Sequence, residues 1–283
     1  MFRFFRSCSF CFLIVLAALT LRCNGPEARE NGFAPCPEDI PADMACVPGG
    51  DFIYGSDNPK WKDEHPKSTV TISTFLIDKY EVTTAKYQKC VKEGQCTPAI
   101  SNYLHMRADE LPQVKANWFQ AQKYCQAHGK RLPTEAEFEK ASRGPSGQTY
   151  PWGDEKATCE KAIIKEHGIR GCSNDHQPTG GPKAPGSRPA GIYGLYDMAG
   201  NVHEWVLDWY EPNRAKCGQE CLGKDPAGPC GGADHCPGYT ERVVKGGSWY
   251  WDWDWARAAK RRAYKPDNSP PHHFGFRCAK SIE

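Results

Sequence analysis

Beyond residue 22 the chain has no apolar run near the roughly 20 residues that span a bilayer as a helix, so no second membrane segment is expected. An excess of charge of one sign is also missing: 36 Lys and Arg stand against 34 Asp and Glu, a net charge of +2. Without a basic excess or a polybasic stretch there is no electrostatic footprint for nucleic acid, and a membrane could be reached only through an anchor. No internal repeat is present, which leaves no basis for a repeat architecture. Long periodic segments are scarce. With 27 glycines, 23 prolines and 39% hydrophobic residues, the body is globular but loop-rich, and its roughly 240 residues suit one large domain or two small ones.

What is present begins with Arg3, Arg6 and an apolar run from Phe10 to Leu19, which together read as a signal segment over residues 1–22. Cys23 follows directly. A cysteine at that place suggests lipoprotein processing, in which the thiol is acylated and becomes the mature N-terminus, whereas Arg22, standing where a small residue is expected, suggests an ordinary cleaved signal. The expectation is an exported protein of the bacterial envelope, lipid-anchored at Cys23, or free in the periplasm or outside the cell. Residues 23–45, rich in Pro, Glu, Asp and Ala without periodicity, read as a tether.

Fifteen cysteines less Cys8, Cys11 and Cys23 leave twelve in the body, an even number suited to pairing in an oxidising compartment. Short loops suggest Cys36 with Cys46, Cys90 with Cys96 and Cys159 with Cys172. Cys217, Cys221, Cys230 and Cys236 crowd one insertion; a zinc knuckle is conceivable there, but pairing among themselves is preferred and its pattern is open. Val47 to Phe52 reads as a turn entering a strand, and Val70 to Asp78 as a second strand. Helices are expected from Thr83 to about Lys92, from Asn117 to His128, and after Thr134, where Thr134 and Glu137 have the spacing of a capping box. From Ser142 to Tyr239 turn residues dominate.

Several phrases in order resemble the formylglycine-generating enzyme family, the sulfatase-modifying factors. They are Val47-Pro48-Gly49-Gly50-Asp51-Phe52, Asp78-Lys79-Tyr80-Glu81-Val82-Thr83, Gly129 to Glu139, Tyr150-Pro151-Trp152-Gly153, Gly194 to Trp205, Gly246-Gly247-Ser248-Trp249 and Gly275-Phe276-Arg277-Cys278. The resemblance covers residues 46–283 and implies a single α+β domain of the C-type-lectin-like formylglycine-generating enzyme fold, loop-rich and held by disulfides. It also implies that Cys125 pairs with Cys278.

Calcium is the cofactor the resemblance implies, with Glu81, Asp197, Gly200, Val202 and Glu204 at the matching positions. Independently, Asp197 and Glu204 flank a Gly-Asn turn that could offer carboxylate and main-chain oxygens, the donors a hard cation takes. A second calcium site, over residues 158–176, is not expected, because its asparagine is replaced near Thr158 and Cys159 and Cys172 occupy the loop.

The family's oxidase holds copper through two cysteines just after the Gly-Gly-Ser-Trp phrase and turns a substrate cysteine into formylglycine. Thiolates are needed there because soft sulfur stabilises Cu(I). Here no cysteine lies between Cys236 and Cys278, so copper and that oxidation are not expected. In their place Trp249, Trp251, Trp253 and Trp255 alternate with Tyr250, Asp252 and Asp254, a period of two that puts the tryptophans on one face of an extended segment. Either that face is core, or Trp251 and Trp253 line the former substrate groove with Asp252, Asp254, Arg257 and Arg261 at its rim. The expected function is therefore a non-oxidase envelope protein that binds a peptide, a glycan or another envelope protein. The alternatives are an enzyme of the same fold with other chemistry, in which Asp252, Asp254 or Glu204 would act, and a formylglycine-type oxidase serving an exported sulfatase-like partner.

Overall fold

The computed structural model describes residues 32–173 and 180–282. The signal segment, Cys23 and the start of the tether lie outside them. Among the described residues no helix is long and apolar enough to cross a membrane.

Nine short strands run in chain order as β1 (Met44–Val47), β2 (Gly50–Tyr54), β3 (Ser68–Ile72), β4 (Phe75–Asp78), β5 (His203–Trp209), β6 (Arg242–Lys245), β7 (Arg262–Tyr264), β8 (Phe274–Gly275) and β9 (Ala279–Ser281). They form three sheets. A hairpin pairs β2 with β3, a three-stranded sheet has the order β1-β4-β9, and a four-stranded sheet has the order β7-β6-β5-β8. In the last, β5 is antiparallel to β6 and parallel to β8.

The central sheet is buried on both faces. Val206 and Val243 face a core with Phe52, Tyr54, Phe75 and Phe138, whereas Trp205 and Val244 face another with Trp118, Tyr124, Phe274 and Phe276. The alternation follows from the period of two along a strand. Burying the two indoles requires partners for their N–H groups: Trp118 Nε1 donates to Val206 O (2.8 Å) and Trp205 Nε1 to Ala116 O (3.0 Å).

Three helices stand where their caps place them. α1 (Thr84–Lys92) starts at Thr83, whose hydroxyl accepts from Lys86 N. α2 (Trp118–Ala127) and α3 (Glu135–Arg143) each carry a complete capping box, Asn117 with Gln120 and Thr134 with Glu137. α3 is buried along its whole length although five of its nine residues are charged, and it packs against β2, β5 and β6. A short fourth helix, α4 (Gln219–Leu222), lies in the cysteine-rich insertion.

Three expectations need correction. The segment from Val70 to Asp78 is two strands in different sheets, because Ser73 between them gives both its N–H (2.5 Å) and its hydroxyl (2.7 Å) to the Asp225 carboxylate and leaves the ladder. The turn-rich stretch from Ser142 to Tyr239 contains β5, the longest strand. The tether ends well before residue 45: the Thr74 hydroxyl donates to Ala34 O, and Met44 and Ala45 are buried in β1.

Twelve cysteines form six disulfides, Cys36–Cys46, Cys90–Cys96, Cys125–Cys278, Cys159–Cys172, Cys217–Cys221 and Cys230–Cys236. The insertion pairs its neighbours in sequence, which answers the open pattern. So many disulfides point to an extracellular or periplasmic protein.

Candidate functional site

Two places in the fold gather chemistry. The first is an acidic cluster below β5. Glu81, Asp197 and Glu204 are all buried, and a single guanidinium, Arg277, pairs bidentately with Glu204 at 2.8 and 2.7 Å. Glu81 accepts from Asn201 Nδ2 (2.5 Å) and from Val202 N (3.2 Å), and Asp197 Oδ2 accepts from Gly186 N (2.6 Å). Asp197 Oδ1 is buried with no partner. Burial first, then the charges of Asp197 and Glu204, push the Glu81 carboxyl well above the usual carboxylate range; burial likewise raises Asp197 and Glu204. Gly200, at φ 88°, lets the turn close, since a Cβ there would stand 2.6 Å from Ile163 O.

Three buried carboxylates against one guanidinium leave an excess of negative charge and an unsatisfied oxygen, so in charge and donor type Glu81 and Asp197 fit a hard cation. Glu204 does not stand free for that role, being neutralised by Arg277. Among the described residues no three His, Cys, Asp or Glu side chains converge in a metal-binding arrangement.

The second place follows Gly246-Gly247-Ser248. Gly247, at φ 74°, permits the chain to press against residues 255 and 256, where a Cβ would lie 2.6 Å from Trp255 O. The strand expected over residues 249–255 does not form. Asp252 caps a short 3-10 helix, Trp253–Ala256, with its carboxylate accepting from Asp254 N, and the alternation of faces is lost. The tryptophans part company. Trp249 is fully buried, Trp251 and Trp255 are half-buried with ring centroids 4.9 Å apart, and Trp253 is 38% exposed under the Lys156 ammonium.

The expected rim is also corrected. Arg257 is buried in a bidentate pair with Glu64 (2.9 and 2.8 Å) and bonds Asp254 (2.8 Å), which also binds Lys60; Arg261 is buried in a bidentate pair with Glu135 (2.6 and 2.9 Å). Asp254 and Arg257 therefore fasten the 3-10 segment to residues 60–64, and Arg261 fastens its own segment to α3, so all three are engaged within the fold. Asp252 is half-buried and stays at the cluster's edge.

What surrounds Trp251 instead is a group of rings and cations that the sequence did not single out. His273 stacks on Tyr250 (centroids 5.0 Å), His203 lies 5.8 Å from His273 and 6.3 Å from Trp255, and His272 lies 5.4 Å from Trp249. The Lys260 ammonium sits 3.3 Å from the Trp61 ring centre and 4.8 Å from that of Trp255, and the Arg262 guanidinium lies 5.6 Å over Trp251. Burial, followed by the neighbouring His273, lowers His203 well below the usual imidazole range; burial, then Arg262, takes His273 down to about 3. Both imidazoles are neutral at pH 7. Ten buried side-chain polar atoms among the described residues have no hydrogen-bond partner, and four belong to this one cluster: Trp249 Nε1, Trp251 Nε1, His203 Nε2 and His273 Nδ1.

A small mixed sheet in long irregular loops, stapled by disulfides and carrying the Gly-Gly-Ser turn beside a buried acidic cluster, is the architecture of formylglycine-generating-enzyme-like domains. The chain belongs to the sulfatase-modifying factor family, whose enzyme 1-like domain model matches residues 31–282. A formylglycine-generating enzyme from Thermomonospora curvata is 30% identical over 300 residues, covering 86% of this chain and 95% of that protein. A protein from Chlamydia caviae named serine/threonine-protein kinase pkn1 is 32% identical over 266 residues, 87% of this chain but 39% of that protein, so the chain spans about two-fifths of such relatives. A mouse protein named inactive C-alpha-formylglycine-generating enzyme 2 is 28% identical over 84% of the chain and 85% of its own length. Among solved structures, PvdO from Pseudomonas aeruginosa superposes with a TM-score of 0.65 at 22% identity, covering 84% of this chain and 94% of that one. Treponema denticola variable protein 1 gives 0.63 at 21%, with the same coverage. These two likenesses concern the fold alone.

Proposed function

We propose that this chain is an exported, non-oxidase member of the family that binds an extended saccharide on the aromatic wall of Trp251, Trp255 and Trp61. One observation carries the reading: all twelve cysteines of the described residues are in disulfides, and the copper-binding segment has become a cluster of indoles and imidazoles with four unpartnered nitrogens. No thiolate remains there to hold Cu(I). The wall is biased toward N–H donors, which suits a ligand whose oxygens outnumber its own N–H groups. A saccharide, whose ring and glycosidic oxygens accept without donating, meets that condition better than a peptide backbone, in which each C=O is matched by an N–H. Half-buried indole faces also stack on sugar C–H surfaces. The relative named as inactive supports a branch of the family without the oxidation.

Incubating the protein with Cu(I), oxygen and a cysteine-containing peptide is expected to yield no aldehyde. A glycan and peptide array should give saccharide hits that weaken at least tenfold with Trp251→Ala. Oxygen-dependent aldehyde formation, or hits confined to peptides, would overturn the reading.

Calcium is the structural ion of this proposal. Asp197 and Glu81 would hold it with main-chain oxygens at Gly200 and Val202, and its charge would offset the excess of carboxylates. Chelation is expected to lower the melting temperature by roughly 5 °C or more. An ion at a hundredfold its dissociation constant adds about 2.7 kcal/mol, and each kcal/mol moves the midpoint of a domain this size by about 2–4 °C. An unchanged melting curve would count against the ion.

A further inference from the structure

Lys260 and Arg262 are two cations without a carboxylate partner; Lys140, Arg214 and Arg242 also lack one but donate to main-chain carbonyls, whereas among the described residues the Lys260 ammonium has no hydrogen-bond acceptor and Arg262 reaches only His273 Nε2 (3.4 Å). Among the described residues neither has an acidic oxygen within ion-pair distance, whereas Lys245, Arg143, Arg257, Arg261 and Arg277 all do. The nearby acids are already engaged. Glu64 is held by Arg257 and the Ser56 hydroxyl, and Asp63 accepts from Tyr210 OH. Backbone geometry explains the split. Residues 260–262 enter β7 extended, so alternate side chains go to opposite sides. Arg261 is on the core side against Glu135, and its two neighbours both lie over Trp255, at 4.8 and 6.0 Å.

We infer that Lys260 and Arg262 form an anion-recognition pair on the Trp251–Trp255 wall and that the ligand is an acidic saccharide whose carboxylate they bind. The inference rests on the saccharide reading above and adds the charge of the ligand. The Lys260 ammonium is buried without an acceptor, and Arg262 is half-buried with N–H groups beyond its bond to His273, so a carboxylate gains charge-assisted hydrogen bonds without breaking an existing ion pair. Burial holds the Lys260 ammonium down at about 8, outweighing the charges of Asp63 and Glu64 nearby.

Calorimetric titration of the whole protein with a galacturonic acid tetramer, its methyl ester and tetraglutamate separates the elements of the claim. The acid tetramer should bind at least tenfold more tightly than the ester, and Arg262→Gln should remove that preference. Arg262 is half-buried, forms no ion pair and bonds only His273 Nε2, a partner the glutamine amide can still donate to, so the variant should melt with the wild type; Lys260→Arg, which keeps the charge, should retain binding. Equal binding of acid and ester, unchanged by Arg262→Gln, overturns the anion pair but leaves saccharide binding intact. Binding of tetraglutamate with neither sugar overturns both.

Discussion

Replacing Cys125 and Cys278 together by alanine is expected to cost about 5 kcal/mol of unfolding free energy, because that bridge closes a loop of sequence separation 153 and loop entropy grows with length. The same operation on Cys90 and Cys96, separated by 6, is expected to cost about 2 kcal/mol. Both sulfurs of the long bridge are fully buried beside Tyr124 and Phe276, so the alanines also leave unfilled volume in the core. The bridge ties α2 to the segment just before β9, and β9 in turn pairs with β4, so the beginning and end of the domain are fastened to one another at two adjacent points. Urea unfolding of the two double variants under non-reducing conditions measures both losses. Equal costs would show that loop length does not set the contribution of these disulfides.

The disulfide scaffold and the helix starts were legible because their signals are local. Thr83, Asn117 and Thr134 act through residues three positions away, and short cysteine loops leave few alternatives. β5 was not legible, since a strand buried on both faces shows no alternation of polarity, and its residues read as a turn-rich stretch beside Gly200-Asn201. The opposite error arose at residues 249–255, where a strict alternation suggested a strand. There Asp252 offers its carboxylate to Asp254 N and so favours a tight turn, a competition that periodicity does not register. Nothing in the sequence distinguished Arg261 from Lys260 and Arg262. All three are cations in a row, and only the position of Glu135 on a buried helix decides which of them is structural.

The acidic positions below β5 could be selected because the resemblance supplied them, but the capture of Glu204 by Arg277 depends on a pairing 73 residues away. The aromatic site was half visible. Trp251 was singled out, yet His203 at the start of β5, His273 just before β8 and Trp61 are distant in sequence and join the site only through the parallel pairing of β5 with β8 and the packing of Trp61 on Trp255.

The second large effect is expected at Glu135. Its carboxylate, buried at the start of α3, takes two hydrogen bonds from Arg261 (2.6 and 2.9 Å) and lies 3.5 Å from the fully buried Lys245 ammonium. Burial opposes ionisation there, but Arg261 and then Lys245 outweigh it and hold the carboxyl down at about 2. Glu135→Gln preserves shape, leaves the buried Arg261 without a counter-charge and leaves Lys245 with Glu139 alone, which is expected to cost about 3–5 kcal/mol near neutrality. The pH dependence identifies the cause. A glutamate whose folded pKa is depressed contributes stability that is present above its unfolded pKa and is lost as pH falls toward about 2, so the gap between wild type and variant should close over that range. Asp208 acts in the other direction: burial, then the charge of Glu135, raises it to about 8, and its carboxylate accepts from Glu135 N (2.7 Å). A raised acid costs stability as pH climbs from its unfolded pKa to its folded one, and removing the charge of Glu135 relieves part of that cost. The gap should therefore be widest at about pH 5 and narrow again toward pH 8. Urea unfolding at pH 3, 5 and 8 reads it directly, and a gap independent of pH would mean that the glutamine costs stability through packing rather than charge.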